Sequence, residues 1–289
     1  MKAIAVDNDE WNLVINPKSG WWDLKLGDIW RYRDLLLLFV RRDFVAVYKQ
    51  TILGPLWFFI QPILTTIIFT IIFGRVAKIP TDGLPQVLFY MTGIVGWNYF
   101  ADCFNNTSAT FTKNANIFGK VYFPRMVVPL SIIISNLIKF GVQFILLLGF
   151  LLFYSAKGAN INTNIYVLIT PLLLLMMAGL GLGFGIIVSS LTTKYRDLQV
   201  LVGFGVQLLM YVTPVVYPLS FLSQNYPQYR WLILANPMTS VIETFKYAYL
   251  GAGTFEPLHL LYSACFMLVS LLTGLLIFHR VEKTFMDTV

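Results

Sequence analysis

The chain has 289 residues, 57% of them hydrophobic and only 12% charged, whereas a water-soluble domain carries roughly a quarter charged residues. A soluble fold is therefore excluded. The net charge of +7 does not imply a nucleic-acid partner, because Lys and Arg gather on alternate connections between apolar stretches, which is the positive-inside pattern of a membrane protein.

Residues 1–27 mix polar and apolar side chains and read as a cytosolic strap; Asp7, Asp9 and Glu10 stand where a signal peptide needs a basic and then an apolar region. Residues 28–52 read as an amphipathic helix. Arg31, Asp34, Arg41, Arg42 and Lys49 share a flank, and Leu35 to Val40, Phe44, Val45 and Val47 make much of the rest apolar. Such a helix lies along the inner leaflet, docks on a soluble partner, or does both.

The long apolar stretches that follow are too continuous for barrel strands. In lipid they must be helices, because backbone amides cannot remain unpaired there. The fold class expected is an all-α membrane protein with six spans in residues 53–289, at about 56–74, 86–110, 127–153, 166–191, 198–217 and 258–278. Gly54-Pro55 opens the first span, with Pro suited to a first helical turn. Pro80, Asp82 and Gly83 form the turn after it. Even-numbered spans return to basic connections, so both termini are expected in the cytosol. Residues 219–256 are too long for a plain loop and are broken by Asn236-Pro237, which predicts short re-entrant helices between spans five and six.

No G-x-x-x-x-G-K-[ST] loop is present, so the chain is not expected to cradle ATP phosphates itself. Cys103 and Cys265 lie in apolar stretches and read as small buried hydrophobes. His259 and His279 stand alone, so no metal site is expected. Two charges fall within spans: Asp102 in the second and Lys139 in the third. At ~1.5 Å per residue both lie roughly 15–18 Å from the cytosolic boundary, so they can meet across neighbouring helices. They read either as an ion relay or contact to an anionic substrate, or as a structural pair or the edge of a wet cavity.

Aromatic residues are dense, notably Trp57, Phe58, Tyr90, Trp97, Tyr99 and Phe100. Lipid contact, packing and an interfacial belt account for such residues; the alternative is a conduit wall, since aromatic faces suit a sliding sugar chain. The connection 113–125 is too long and apolar for a tight turn, and Phe118, Tyr122 and Phe123 would be poorly placed in water. A short helix that docks into another protein's cleft explains it, as does one lying on the membrane surface.

Five stretches together resemble a known family. They are Tyr48-Lys49-Gln50-Thr51-Ile52-Leu53-Gly54-Pro55-Leu56-Trp57 with Gln61-Pro62; Lys120-Val121-Tyr122-Phe123-Pro124-Arg125 with Pro129-Leu130; Tyr195-Arg196-Asp197; Thr213-Pro214-Val215-Val216-Tyr217; and Asn236-Pro237-Met238. In this order and spacing they resemble the membrane permease subunits of type-2 ABC exporters of O-antigen, capsule and teichoic-acid polysaccharides. The resemblance implies a homodimer in a bacterial inner membrane, bound to two separate ATPase subunits that hold the ATP and Mg, with no cofactor on this chain. It implies an undecaprenyl-linked glycan as cargo. It also implies that residues 113–125 form the coupling helix, with Asn116, Lys120, Tyr122, Phe123, Pro124 and Arg125 toward the ATPase, and that the helix bearing Arg31, Arg41, Arg42 and Lys49 faces it too. The segment 219–256 would sit near the exit. Gln50 stands where a basic residue is common in the family, and Lys246 where Arg is common. Other readings are a type-2 exporter of lipids or drugs, whose members commonly carry a large external domain or fused ATPase, and a membrane-embedded transferase, for which Asp102 and Asp197 are too isolated. A gradient-driven carrier would rest on Asp102 and Lys139.

Overall fold

A computed structural model describes residues 26–49, 52–195 and 197–284. Nearly all of the strap 1–27, with Gln50, Thr51 and Arg196 of the motifs above, lies outside the described residues. No strand occurs among the described residues, and the helices run as follows.

α1 (Leu26–Arg31) and α2 (Arg33–Tyr48) are separated by a break at Tyr32. A 3₁₀ turn over Gly54–Leu56, with Pro55 inside its start, leads into α3 (Trp57–Phe69). Pro62 sits inside α3, where it lacks an N–H and crowds the preceding turn, and the helix finishes in a π-helical stretch, Thr70–Val76. α4 is Gln86–Ser108, α5 Thr110–Phe118 and α6 Val127–Ala156. A 3₁₀ stretch, Ile165–Ile169, opens α7 (Thr170–Thr192). α8 (Leu198–Val212) ends where Thr213 turns extended (φ −82°, ψ 145°), because the following Pro214 disfavours helical backbone at the residue before it. The short helices α9 (Leu219–Asn225) and α10 (Arg230–Leu234) precede α11 (Pro237–Leu250), and α12 is Pro257–Thr284.

Among the described residues four helices are long and apolar enough to cross a membrane: Gly54–Val76, Val127–Ala156, Ile165–Thr192 and Pro257–Glu282. α8 is apolar but has only 15 residues, about 22 Å of helix at ~1.5 Å per residue. α4 has the length, 23 residues, yet carries Asn98, Asp102, Asn105 and Asn106. Its position explains this tolerance: α4 packs on α3, α6, α7, α8 and α11, so much of its surface meets protein and polar groups can find partners there.

The close fit of α7 comes from two interleaved glycine pairs. A Cβ at Gly181 would lie 2.7 Å from the Cβ of Cys103, and one at Gly185 would lie 2.5 Å from that of Thr107, both on α4. At Gly179 and Gly183 the obstacles are Met267 and Ser270 of α12, at 2.4 and 2.7 Å. Each pair is spaced by four residues, so α7 offers one small-residue face to α4 and another to α12. Without a hydrophobic drive between helices in lipid, such close approach is what holds them.

The two ends of this bundle differ. The link end carries α2, α5 and the turn 119–126. The cap end carries α9–α11 and the 157–164 connection, which seals the C-terminus of α11. The carbonyls of Tyr247, Ala248, Tyr249 and Leu250 accept from Asn164 Nδ2, Asn164 N, Thr163 Oγ1 and Asn162 N, at 3.1, 3.2, 3.1 and 3.4 Å. These are the last four carbonyls of α11, which a helix end leaves short of partners, and Tyr247 also accepts from the Gly251 N–H at 3.0 Å. Gly251, at φ 73°, supplies the left-handed residue that stops the helix.

Candidate functional sites at the two ends and along the seam between them

At the link end the sequence predicts one short helix over 113–125, and the structure divides it. α5 starts earlier, at Thr110, and ends at Phe118; Gly119 and Pro124, both poor helix formers, turn the rest into an irregular loop. The neighbours Tyr122 and Phe123 then part company. Tyr122 is 61% exposed and Phe123 only 5%. Phe123 inserts between Phe39 of α2 and Phe118 of α5, with ring centroids at 5.7 and 5.8 Å. Phe118 continues to Phe111 at 5.8 Å, and Phe111 stacks on Phe278 of α12 at 4.7 Å.

Arg125 is half-buried behind this row. Its guanidinium donates to the Glu282 carbonyl, its backbone N–H donates to the Glu282 carboxylate at 3.3 Å, and it lies over the Phe118 ring. Burial pushes the guanidinium pKa down, and the Glu282 charge opposes that shift. Phe123 and Arg125 thus anchor the link to its own bundle. Pro124 is partly covered, while Asn116, Lys120, Val121 and Tyr122 form the outward surface. On the neighbouring helices Arg31, Arg41, Arg42 and Lys49 are also exposed, whereas Phe39 and Val40 are buried, with α2 resting on α6.

Along the middle of the bundle, α4 and α6 meet through a row of polar side chains. Asp102 and Lys139 form an ion pair at 2.7 Å, with about a fifth to a third of each side chain exposed. On either side of it lie Asn98–Gln143 and Asn106–Asn136, each 3.4 Å apart. The α4 members recur every four residues, so they occupy one helix face. An ammonium at this depth would cost about 2.5–3.5 kcal/mol alone on insertion scales, and the pair answers that cost within a seam of hydrogen-bonding groups.

The link-end side of this seam opens into a cavity of about 640 Å³ between α2, the start of α3, α5 and α6. Asn106, Asn136 and Lys139 of the seam line its inner part; Arg42, Asp43 and Phe44 come from α2, Trp57, Phe58 and Gln61 from α3, and Lys113, Asn114 and Ile117 from α5.

The aromatics considered as a conduit wall mostly lie elsewhere. Tyr90, Trp97, Tyr99 and Phe100 are between 0 and 3% exposed and Phe58 is 8% exposed. Tyr90, Trp97, Tyr99 and Phe100 belong to the core packing of a single chain, because α4 is its central helix, while Phe58 of α3 lines the cavity. Trp57, at 47%, is the one of the six on an open surface. Open apolar surfaces lie on α3 and α8, at Leu64, Ile67 and Ile68 and at Leu201, Phe204 and Leu208, as well as on α6 at Ile145 and Leu152 and on α12 at Leu261 and Val269.

The cap end holds two charges that the apolar pattern of 241–250 conceals. Glu243 and Lys246 of α11 are 1% and 0% exposed. The Lys246 ammonium donates to the carbonyls of Pro214 and Val215 and sits 3.6 Å from the Phe89 ring centroid. Glu243 accepts from the Thr254 N–H at 3.1 Å. Asn236 caps α11 through the Met238 N–H at 3.0 Å and donates to Thr213 Oγ1 at 2.8 Å. The Thr213-Pro214 and Asn236-Pro237 motifs, far apart in sequence, are therefore one lock between the end of α8 and the start of α11. Ionisable residues inside an otherwise apolar helix were the available signal.

The model of the ABC-2 type transporter family matches residues 34–250. The chain is 28% identical over 255 residues to an O-antigen export system permease protein, RfbA, of Klebsiella pneumoniae, covering 88% of this chain and 94% of that one. An RfbA of Myxococcus xanthus is 28% identical over 76% of this chain and 81% of its own length. The polysialic acid transport protein KpsM of Escherichia coli is 24% identical over 82% of this chain and 89% of its own.

Proposed function

Because this chain belongs to the ABC-2 type transporter family, we propose that it is the membrane permease of an ATP-driven exporter of lipid-linked, O-antigen-like polysaccharide. The observation that carries this is the alignment, along more than four-fifths of the chain, with relatives named as O-antigen and polysialic acid permeases. In this reading α4 and α8 complete six spans in a bacterial inner membrane, both termini are cytosolic, and the link end faces the cytosol. The α9–α11 segment is re-entrant from the outside. Two copies of the chain pair through the open apolar faces of α3 and α8, and each meets a separate ATPase subunit that binds ATP and Mg. The cargo is carried on undecaprenyl.

The coupling contact in this reading is the exposed turn with Asn116, Lys120, Val121 and Tyr122. Closure of the ATPase pair presses on it, and the phenylalanine row from Phe123 to Phe278, with Arg125 on Glu282, passes the load to α2, α6, α7 and α12. A partner can shift the equilibrium between closed and open bundles only by binding one of them better. The exposed turn must therefore meet the ATPase differently in the two states. α3 and α8 then repack across the pair to open a conduit between copies, with Trp57 at its inner mouth.

Reconstitution with and without the ATPase tests the assignment. Expected is ATP-dependent export of a lipid-linked glycan only when both subunits are present, and co-purification of the ATPase with this chain. Uphill transport by this chain alone would overturn it.

A further inference from the structure

We infer that the cavity between α2, α3, α5 and α6 is a binding site for a phosphate-bearing group, with Lys113 as its free cation and Arg42 and Lys139 as supporting charges. The inference rests on the export reading for what the phosphate belongs to, the head of a lipid-linked cargo, but not for the chemistry of the cavity itself.

The charge balance of the lining is one-sided. Three cations, Arg42, Lys113 and Lys139, face it against one carboxylate, Asp43. That carboxylate is already committed to Arg42 at 2.8 Å, as Lys139 is to Asp102 at 2.7 Å. Lys113 has no acidic partner among the described residues. A cavity with a surplus of positive charge and walls of low dielectric concentrates anions.

The remaining polar groups fit the same ligand. Asn106, Asn114 and Asn136 each keep a second amide N–H beyond the one donated to Asn136, Thr110 and Cys103 respectively. Lysine binds phosphate as a compact point charge and arginine adds a planar fork. Trp57 and Phe58 form an apolar flank on the α3 side, which a free inorganic anion would not use and the first isoprenes of a lipid would. At about 640 Å³ the space falls in the ~300–1,000 Å³ range of small-molecule sites.

The place of the cavity gives it a further consequence. Lys139 belongs both to the lining and to the ion pair that joins α4 to α6, with Asn106–Asn136 beside it. An anion drawn to Lys139 competes with Asp102, so loading of the cavity loosens the seam between the central helix and α6. Cargo arrival is thereby coupled to the helix contacts that must change for the bundle to open.

The test uses the full-length protein in nanodiscs of neutral phosphatidylcholine, without ATPase or ATP, titrated with farnesyl diphosphate, inorganic pyrophosphate and farnesol. Expected is saturable binding of farnesyl diphosphate that weakens at least tenfold in Lys113→Gln and in the paired variant Lys139→Gln with Asp102→Asn. The pairing avoids stranding one charge, and if it fails to fold, Lys113→Gln on the exposed flank of α5 decides alone. Tighter binding of farnesyl diphosphate than of pyrophosphate, tenfold or more, identifies a lipid headgroup as the source; equal binding of the two identifies a free phosphate compound. Full affinity in folded Lys113→Gln, or farnesol binding as tightly as its diphosphate, would overturn the site. Intact binding in a chain that recruits no ATPase would instead strike only the export reading.

Discussion

The two ends of the bundle are held by opposite kinds of interaction. At the link end a row of phenylalanine rings joins the turn 119–126 to α2, α5 and α12. At the cap end a buried ammonium and the Asn236–Thr213 bond join α11 to the end of α8, and a buried carboxylate ties α11 to Thr254. Apolar contact has no required direction, so rings can slide past one another while remaining buried. Buried charges tolerate no such compromise, because a donor or carboxylate stripped of its partner bears the full desolvation cost. Contacts at the link end can therefore rearrange without losing burial, whereas those at the cap end cannot.

The largest effect of breaking that contrast is expected at Lys246. Lys246→Met removes the donor to Pro214 and Val215 and leaves Glu243 buried without that charge. Breaking a buried charged arrangement by removing one member costs about 3–5 kcal/mol. Thermal unfolding of the purified protein should show it, and Lys246→Arg should recover most of the loss. A full-strength Met variant would mean that the charge at the cap is dispensable.

Next in size is Phe123→Ala, which empties a buried site touched by Phe39 and Phe118 and should cost about 3 kcal/mol. Its sharper form is a cycle with Phe39→Ala. A coupling of about 0.5–1.5 kcal/mol is expected for an aromatic pair, and independence of the two sites would deny the row any role as a continuous element. Asn236→Ala should cost less, about 1–2 kcal/mol, by losing the cap of α11 and one neutral hydrogen bond to Thr213. The ordering of these three, charges first, rings second, cap third, is itself the check on the comparison.

How these regions could be read from sequence follows the same division. Apolar length is a one-dimensional signal, so α3, α6, α7 and α12 begin and end within a few residues of the predicted spans, apart from the longer C-terminal run of α12. α8 stops at Val212 instead of 217, for the reason Pro214 supplies. The polar face of α4, with Asn98, Asp102 and Asn106 four residues apart, marks a seam wider than the charge at Asp102 alone. The interleaved glycines 179, 181, 183 and 185 mark a helix that its neighbours approach closely. Lys246 enters the sequence reading only as a departure from the family's common Arg, although a lone charge inside such a helix is costly unless satisfied. No spacing rule separates Tyr122 from Phe123. Their opposite exposure is decided by where Gly119 releases the chain from α5, which is a property of the turn and not of the residues.

The smallest effect on stability should accompany the largest effect on coupling. Tyr122 is 61% and Val121 58% exposed, so Tyr122→Ala and Val121→Asp leave the aromatic row and the Arg125–Glu282 contact in place. Surface changes of this kind usually stay within about 0.5 kcal/mol, and unfolding of either variant should match the parent. Under the proposed function these two side chains meet the ATPase, and export should fall at least tenfold while the permease remains folded. Phe123→Ala provides the counterpart: it should lower stability first and export through that loss, and conditions that restore folding should restore part of the transport. If instead Val121→Asp exports normally, the exposed turn is not where the load enters, and the exposed face of α2 with Arg41 and Arg42 becomes the surface to test by the same pair of measurements.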